Sequence, residues 1–372
     1  MAGIYVHIPF CKSKCSYCDF TSFPDKICYA ESYMACVYRE MAMRSPELKN
    51  YTFQTLYIGG GTPSVIDENY VAMLVAAAKK YFNLTADAEI TIEMNPGTVS
   101  AKKIETYLKC GVNRFSVGLQ TAVDSQLADL GRIHNLKDYL NCAKLLKGRN
   151  FSADIIFGLK NQTIADIEKT IETAAYSGAN HISTYALTPE DGTPIYTDYL
   201  NGELPDGDEV ADMYAFIVKK LRSLGYERYE VSNFAKRGKE SRHNLNYWKR
   251  GEYIGFGVSA SSCINNVRMT NTFDLDEYFK CILSNRFAVV NREEIDKTGQ
   301  EEEFIMLALR TAAGINLEEY TSLFGGDFTQ KYAKAIQKTR EYVEVSPETF
   351  KIKDEYLFVQ NSIIIEYLNA AE

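Results

Sequence analysis

Thr55-Leu56-Tyr57-Ile58-Gly59-Gly60-Gly61-Thr62-Pro63 starts as a β-branched and aromatic run and breaks into three glycines, after which Glu68–Tyr81 takes up a helical rhythm. A strand that ends in glycines, where backbone can approach a ligand, and then passes into a helix is one βα unit. A plain tight turn would read the same way in isolation, but the unit recurs on both sides. Strands are expected at Gly3–Pro9, Thr55–Gly61, Glu89–Pro96, Arg114–Gln120, Ser152–Leu159 and His181–Leu187, each nearly continuous in apolar residues. Helical patterns lie between and after them at Tyr29–Arg44, Glu68–Tyr81, Ala101–Cys110, Leu136–Lys147, Ile164–Ser177 and Asp208–Leu224.

Six such units form either an open doubly wound sheet or a barrel. Polar residues at the strand ends favour the barrel: a cysteine loop after the first, Gly59–Pro63 after the second, Glu93 and Asn95 in the third, Gln120 closing the fourth, Asp154 in the fifth and Tyr185 in the sixth. In a barrel these ends converge on one mouth. The expected α/β architecture is therefore a partial (β/α)6 TIM-like barrel over residues 1–225. Residues 226–277 read as a barrel extension containing His243-Asn244-Leu245-Asn246-Tyr247-Trp248 and the small-residue run Gly255–Ser262. Residues 278–372 read as a small C-terminal helical domain that ends in a β-hairpin wing, its strands expected at Thr349–Lys353 and Leu357–Val359.

The net charge of −8 and the lack of any Lys/Arg-rich block exclude a general nucleic-acid binder, which needs a basic face for phosphate. No apolar stretch approaches the ~20 residues that cross a bilayer, and Gly3–Pro9 reads as a strand of the fold rather than a signal segment. A cytoplasmic protein is expected. Of the nine cysteines, those at 28, 36, 110, 142, 263 and 281 are scattered singly and suit reduced core positions, not a disulfide framework.

The remaining three, Cys11, Cys15 and Cys18, leave the first strand together. Their thiolates can meet at one centre without help from distant sequence. Structural zinc takes four ligands, and no second Cys pair or His pair stands nearby, although a distant fourth ligand would complete such a site. Iron–sulfur clusters are held by thiolates, normally four, so three leave one iron open. An open coordination position marks a reactive metal.

Glu93, Gln120 and Asp154 are polar residues inside apolar strands, where an unpaired group is costly. Each needs a partner, either a bound ligand or a structural one such as Arg114 or Arg132.

The segment Tyr5-Val6-His7-Ile8-Pro9-Phe10-Cys11 through Cys18-Asp19-Phe20 resembles the radical SAM loop of the oxygen-independent coproporphyrinogen III oxidase family. The resemblance continues through Gly59–Pro63, Glu93, Ser116–Gln120, Gly131-Arg132, Asp154–Leu159 and Tyr185, and so spans essentially the whole chain. It implies a 4Fe-4S cluster on Cys11, Cys15 and Cys18 whose open iron takes S-adenosyl-L-methionine (SAM). It further implies Tyr5 and Tyr17 packing around cluster and SAM, Gly60, Gly61 and Thr62 bonding the SAM amino group, and Glu93 bonding polar SAM atoms. Gln120, Arg132 facing the SAM carboxylate and Asp154 facing the ribose complete the implied site. An electron donor for the cluster is implied as a partner.

Within that family the oxidases carry a further cysteine two residues beyond the third ligand and a long N-terminal extension. Here Phe20 stands in that place and Cys11 lies close to the start. Coproporphyrinogen III oxidase activity, an oxidative decarboxylation, is thus the alternative. The chain is more similar to the shorter HemW-type haem chaperones, which share the Cys-Asp-Phe ending and the His-Asn-x-x-Tyr-Trp motif. That likeness implies haem or porphyrin as cargo and a haem-accepting protein at the membrane, with the chain itself at most peripheral there. His243 is the candidate axial ligand, with Tyr247 and Trp248 offering flat apolar surface. Equally, His243 caps a polar loop that Tyr247 and Trp248 anchor to the barrel.

Overall fold

The computed structural model describes residues 2–370. Fifteen strands fall into two sheets. The six expected strands form: β1 (Ala2–Ile8), β2 (Thr52–Gly60), β3 (Asn83–Met94), β4 (Arg114–Gln120), β5 (Phe151–Phe157) and β6 (His181–Ala186). They pair in parallel in that order.

Side chains along them alternate between core and lumen with the two-residue period of a strand. Ile4, Val6, Leu56, Ile58, Ile90, Ile92, Phe115, Val117, Ala153, Ile155 and Ile182 are buried in the large core. The opposite parity, including Tyr57, Glu93, Ser116, Asp154 and Ser183, lines an interior cavity. The strands are therefore not apolar on both faces; one face packs under the helices and the other forms a polar lumen. Side-chain caps fix the helix starts: Asp67 accepts from the Asn69 amide, Ser100 from Lys103, and Thr163 and Asp206 form capping boxes with Asp166 and Glu209.

After β6 the chain adds β7 (Glu227–Arg228) and β8 (Asn233–Ala235), antiparallel on the far edge. It then returns across the fold, and β9 (Glu252–Phe256) pairs in parallel with β1. This seventh parallel strand was not among those expected. β10 (Ser261–Ile264), β11 (Val267–Asn271) and β12 (Val289–Glu294) continue antiparallel beyond it. The sheet order β12-β11-β10-β9-β1-β2-β3-β4-β5-β6-β8-β7 leaves two unpaired ends, so the barrel is partial.

Glu40, fully buried on the helix Ala30–Arg44, ties that helix to the returning strands. It accepts from the Gly257 amide, Asn271 Nδ2 and the Tyr278 hydroxyl, each at 2.8 Å. Tyr278, Cys281, Ile282 and Ala288 belong to the same large core. The large core thus reaches beyond residue 278 as far as Ala288, and a second core runs from Phe304 to Tyr367.

That second core lies under β13 (Ile315–Asn316), β14 (Val343–Val345) and β15 (Thr349–Ile352). The hairpin wing is β14–β15, and the expected strand Leu357–Val359 is part of the 3-10 turn Asp354–Val359 instead. The turn serves the seam with the barrel: Asp354 takes Arg228 Nη2 at 2.6 Å, and Phe358 stacks on Tyr214 with centroids 4.8 Å apart.

Candidate functional site

The loop after β1 is pinned at both ends. The Phe23 amide donates to Pro9 O at 2.7 Å, and the Ser16 amide to Leu130 O at 3.1 Å. All three loop cysteines are unpaired and line one cavity of about 420 Å³ inside the lumen. The glycine turn after β2 lies against them: the Gly61 amide donates to Ile8 O and the Thr62 amide to Phe10 O. A Cβ on Gly61 would stand 3.0 Å from Cys11 Sγ, so only glycine lets the turn come this close.

Thr62 Oγ1 lies 3.5 Å from Cys11 Sγ, and Arg132 Nη1 donates to Cys15 Sγ at 3.6 Å. Among the described residues no three Cys, His, Asp or Glu side chains close on a single-ion site. The donors offered to the cavity at the loop are all thiols, the ligand type of iron–sulfur clusters, and number three where structural zinc takes four ligands. Burial pushes the Cys11 and Cys18 thiols up, a cost that a bound metal reverses by replacing the proton.

Next to the cysteines, Glu93 organises the turn. Its Oε2 accepts from the Gly60 amide at 3.0 Å, and its Oε1 from the Tyr57 hydroxyl at 2.8 Å. Burial pushes its carboxyl up to about 7; those two hydrogen bonds pull the other way, and the nearby Asp154 charge adds to the rise. Gly60 has φ +114°, and a Cβ there would meet the His7 ring at 2.7 Å.

Deeper in the lumen Asp154 accepts from Ser116 at 2.5 Å, Ser183 at 2.8 Å and Ser152 at 3.5 Å, while burial raises its carboxyl. Gln120, at φ +65°, Tyr17 and Arg132 line the same cavity. Arg132 also reaches the Tyr17 hydroxyl and Gly118 O, each at 3.4 Å, and its Nε has no partner among the described residues. The structural partners considered for Glu93 and Asp154 are not arginines: Arg114 donates to Lys239 O, and hydroxyls and one amide serve the carboxylates.

Tyr5 is placed differently from the expectation. It lines a second, more open cavity of about 440 Å³ with His7, Thr21, Tyr247, Tyr253 and Phe273, and its hydroxyl lies 3.0 Å from His7 Nδ1. Asp19 and Phe20 line both cavities, and Phe20 is 64% exposed.

His243, the candidate axial ligand, lies in the interior of the fold. The residue is 1% exposed, with Nδ1 2.7 Å from Thr55 Oγ1 and Nε2 2.9 Å from the Tyr247 hydroxyl. Both nitrogens are engaged, and the ring lines neither cavity. Nor does Trp248, whereas Tyr247 faces the second. His243 sits not in a loop but in the helix Arg242–Trp248, capped by Ser241.

Tyr57, Thr91, Ser152 and Ser183 line the main cavity without having been singled out. The signal was present: each shares strand parity with Glu93, Gln120, Asp154 or Tyr185 or pairs beside them.

Residues 5–174 match the radical SAM superfamily, and residues 295–342 match the HemN C-terminal domain. The haem chaperone HemW of Bacillus subtilis is 34% identical over 347 residues, covering 92% of this chain and 92% of its own. That of Escherichia coli K12 is 33% identical over 339 residues, covering 86% of each. Among solved structures, the coproporphyrinogen III oxidase HemN from Escherichia coli superposes with a TM-score of 0.86 at 19% identity, covering 98% of this chain and 89% of that one. That likeness is one of fold.

Proposed function

Because this chain belongs to the HemW family of haem chaperones, within the radical SAM superfamily, we propose that it binds haem and passes it to a membrane-bound acceptor, and that its lumen holds a 4Fe-4S cluster with SAM. Cys11, Cys15 and Cys18 are the thiols offered to the cluster, and the superfamily's chemistry is one-electron reduction of SAM at the open iron. The chain's own residues hold the cofactor. Backbone carbonyls of the Gly60–Thr62 turn are offered to the amino group, the turn's amides being taken by Glu93, Ile8 and Phe10, and Gln120, Arg132 and Asp154 supply polar contacts deeper in the lumen. A separate reductant supplies the electron.

The observation that carries the chaperone reading is Phe20. An exposed aromatic ring stands where the oxidases place a further cysteine, at the junction of both cavities. Together with Phe273, 60% exposed, it gives the second cavity an apolar rim of the kind a porphyrin covers. No helix is long and apolar enough to cross a membrane among the described residues.

Anaerobic titration of the reconstituted protein with haem tests the reading. A saturable Soret shift is expected, and its absence sinks the proposal. The same preparation, given SAM, reductant and coproporphyrinogen III, is expected to form no protoporphyrinogen; formation would establish the oxidase instead. Cys15→Ala is expected to abolish the cluster's visible absorbance and iron content, and a retained cluster would refute the ligand assignment.

A further inference from the structure

His243 sits at the start of a run of contacts that ends on the glycine turn. The helix Arg242–Trp248 enters the lumen with its first amides held by Glu89: Arg242 N donates at 3.2 Å and His243 N at 3.1 Å. Gly3 of β1 makes room for the imidazole, since a Cβ there would stand 3.1 Å from the ring. Thr55 and Tyr247 then hold both ring nitrogens. So clamped, the ring lies stacked on Tyr57, centroids 5.0 Å apart and planes 25° off parallel.

Tyr57 is the donor to Glu93 Oε1, and Glu93 Oε2 takes the Gly60 amide. The phenol cannot swing away from Glu93 without losing the imidazole face. Burial also keeps His243 neutral, holding it down at about 3, so the stack places no charge beside the Glu93 carboxylate. An imidazole with both nitrogens bonded has no lone pair left for iron, whereas a rigid ring behind Tyr57 suits a role in alignment.

We infer that His243 is a positioning residue for SAM, acting through Tyr57 and Glu93 on the Gly60–Thr62 turn, and is not a haem ligand. This rests on the reading of the main cavity as the SAM site. Removing the ring frees Tyr57, loosens the carboxylate that orders the turn, and weakens SAM. Haem is unaffected.

The test compares wild type with His243→Ala, His243→Asn and His243→Phe as reconstituted holoprotein. SAM affinity is measured by equilibrium dialysis and by the change SAM causes in the electron paramagnetic resonance of the reduced cluster. His243→Ala is expected to bind SAM about tenfold more weakly, the loss of roughly one charged hydrogen bond. His243→Phe, which keeps a ring on Tyr57, is expected to bind close to wild type. His243→Asn keeps a polar partner for Thr55 without the ring; it should match alanine and carries the comparison if alanine does not fold. The haem Soret shift is expected to survive in all three. Equal SAM affinity in the alanine or asparagine variant overturns the inference alone. So does loss of the Soret shift with SAM binding intact, which would restore the haem ligand. A wild type that takes no SAM overturns the cofactor reading and this inference with it.

Discussion

Glu93 shows how one side chain couples burial to the cofactor turn. With its carboxyl near 7 instead of 4.5, the folded protein holds a proton that the unfolded chain releases. The stability this gives is complete below about 4.5 and is lost as pH rises through about 7. Glu93→Gln stays neutral, so its stability relative to wild type is expected to rise between about pH 5 and about pH 8, by on the order of 2 kcal/mol. Urea denaturation of the SAM-free proteins at both pH values checks this; a difference independent of pH would refute it. Arg132 presents a second case, since its guanidinium donates to Cys15 Sγ. Hydrogen bonds to cluster sulfurs raise the reduction potential, so Arg132→Gln is expected to lower it, measurable by redox titration of the reconstituted cluster. A cofactor role for Arg132 came only from the family resemblance, whereas Glu93, like Gln120 and Asp154, was legible in sequence as a polar intrusion in an apolar strand. Their partners were not: Ser116, Ser152 and Ser183 converge on Asp154 only through register between strands, which no local pattern encodes.

At the level of elements, the strand-to-glycine junction is the most demanding. Gly60 combines φ +114° with a Cβ position 2.7 Å from the His7 ring, so Gly60→Ala suffers both backbone strain and collision. A loss of about 2 kcal/mol in stability is expected, with SAM binding impaired, and a wild-type-like denaturation midpoint would contradict it. The βα units were readable because apolar runs, glycines and helix caps all lie within one unit's span. β9 was not, because Glu252–Phe256 is short, contains Gly255, and finds its partner β1 across most of the chain. The turn Asp354–Val359 misled for a related reason. Tyr356, Leu357, Phe358 and Val359 have strand-like composition, but Leu357 packs into the second core while Phe358 stacks on barrel rings, and tertiary packing set the backbone.

The whole molecule consists of two cores joined at that seam. Arg228, its side chain 3% exposed, relies on Asp354, which is half exposed. Asp354→Ala leaves the guanidinium with only the Tyr214 hydroxyl and Asp354 O, and a cost of about 1–2 kcal/mol is expected once solvent screening of the carboxylate is allowed for. Hydrogen exchange should show lost protection at Val343–Ile352 and in the helix Gln360–Leu368 before the barrel strands change. Uniform loss across both cores would show that they unfold as one.

Asp19 and Phe20 belong to the walls of both cavities. An occupant that moves these two residues on one side changes the wall presented on the other. Thermodynamic reciprocity then fixes the exchange: the factor by which SAM alters haem affinity is the factor by which haem alters SAM affinity. If the proposed haem and SAM sites are coupled in this way, the supply of SAM sets how firmly haem is held, with no need for SAM to be consumed.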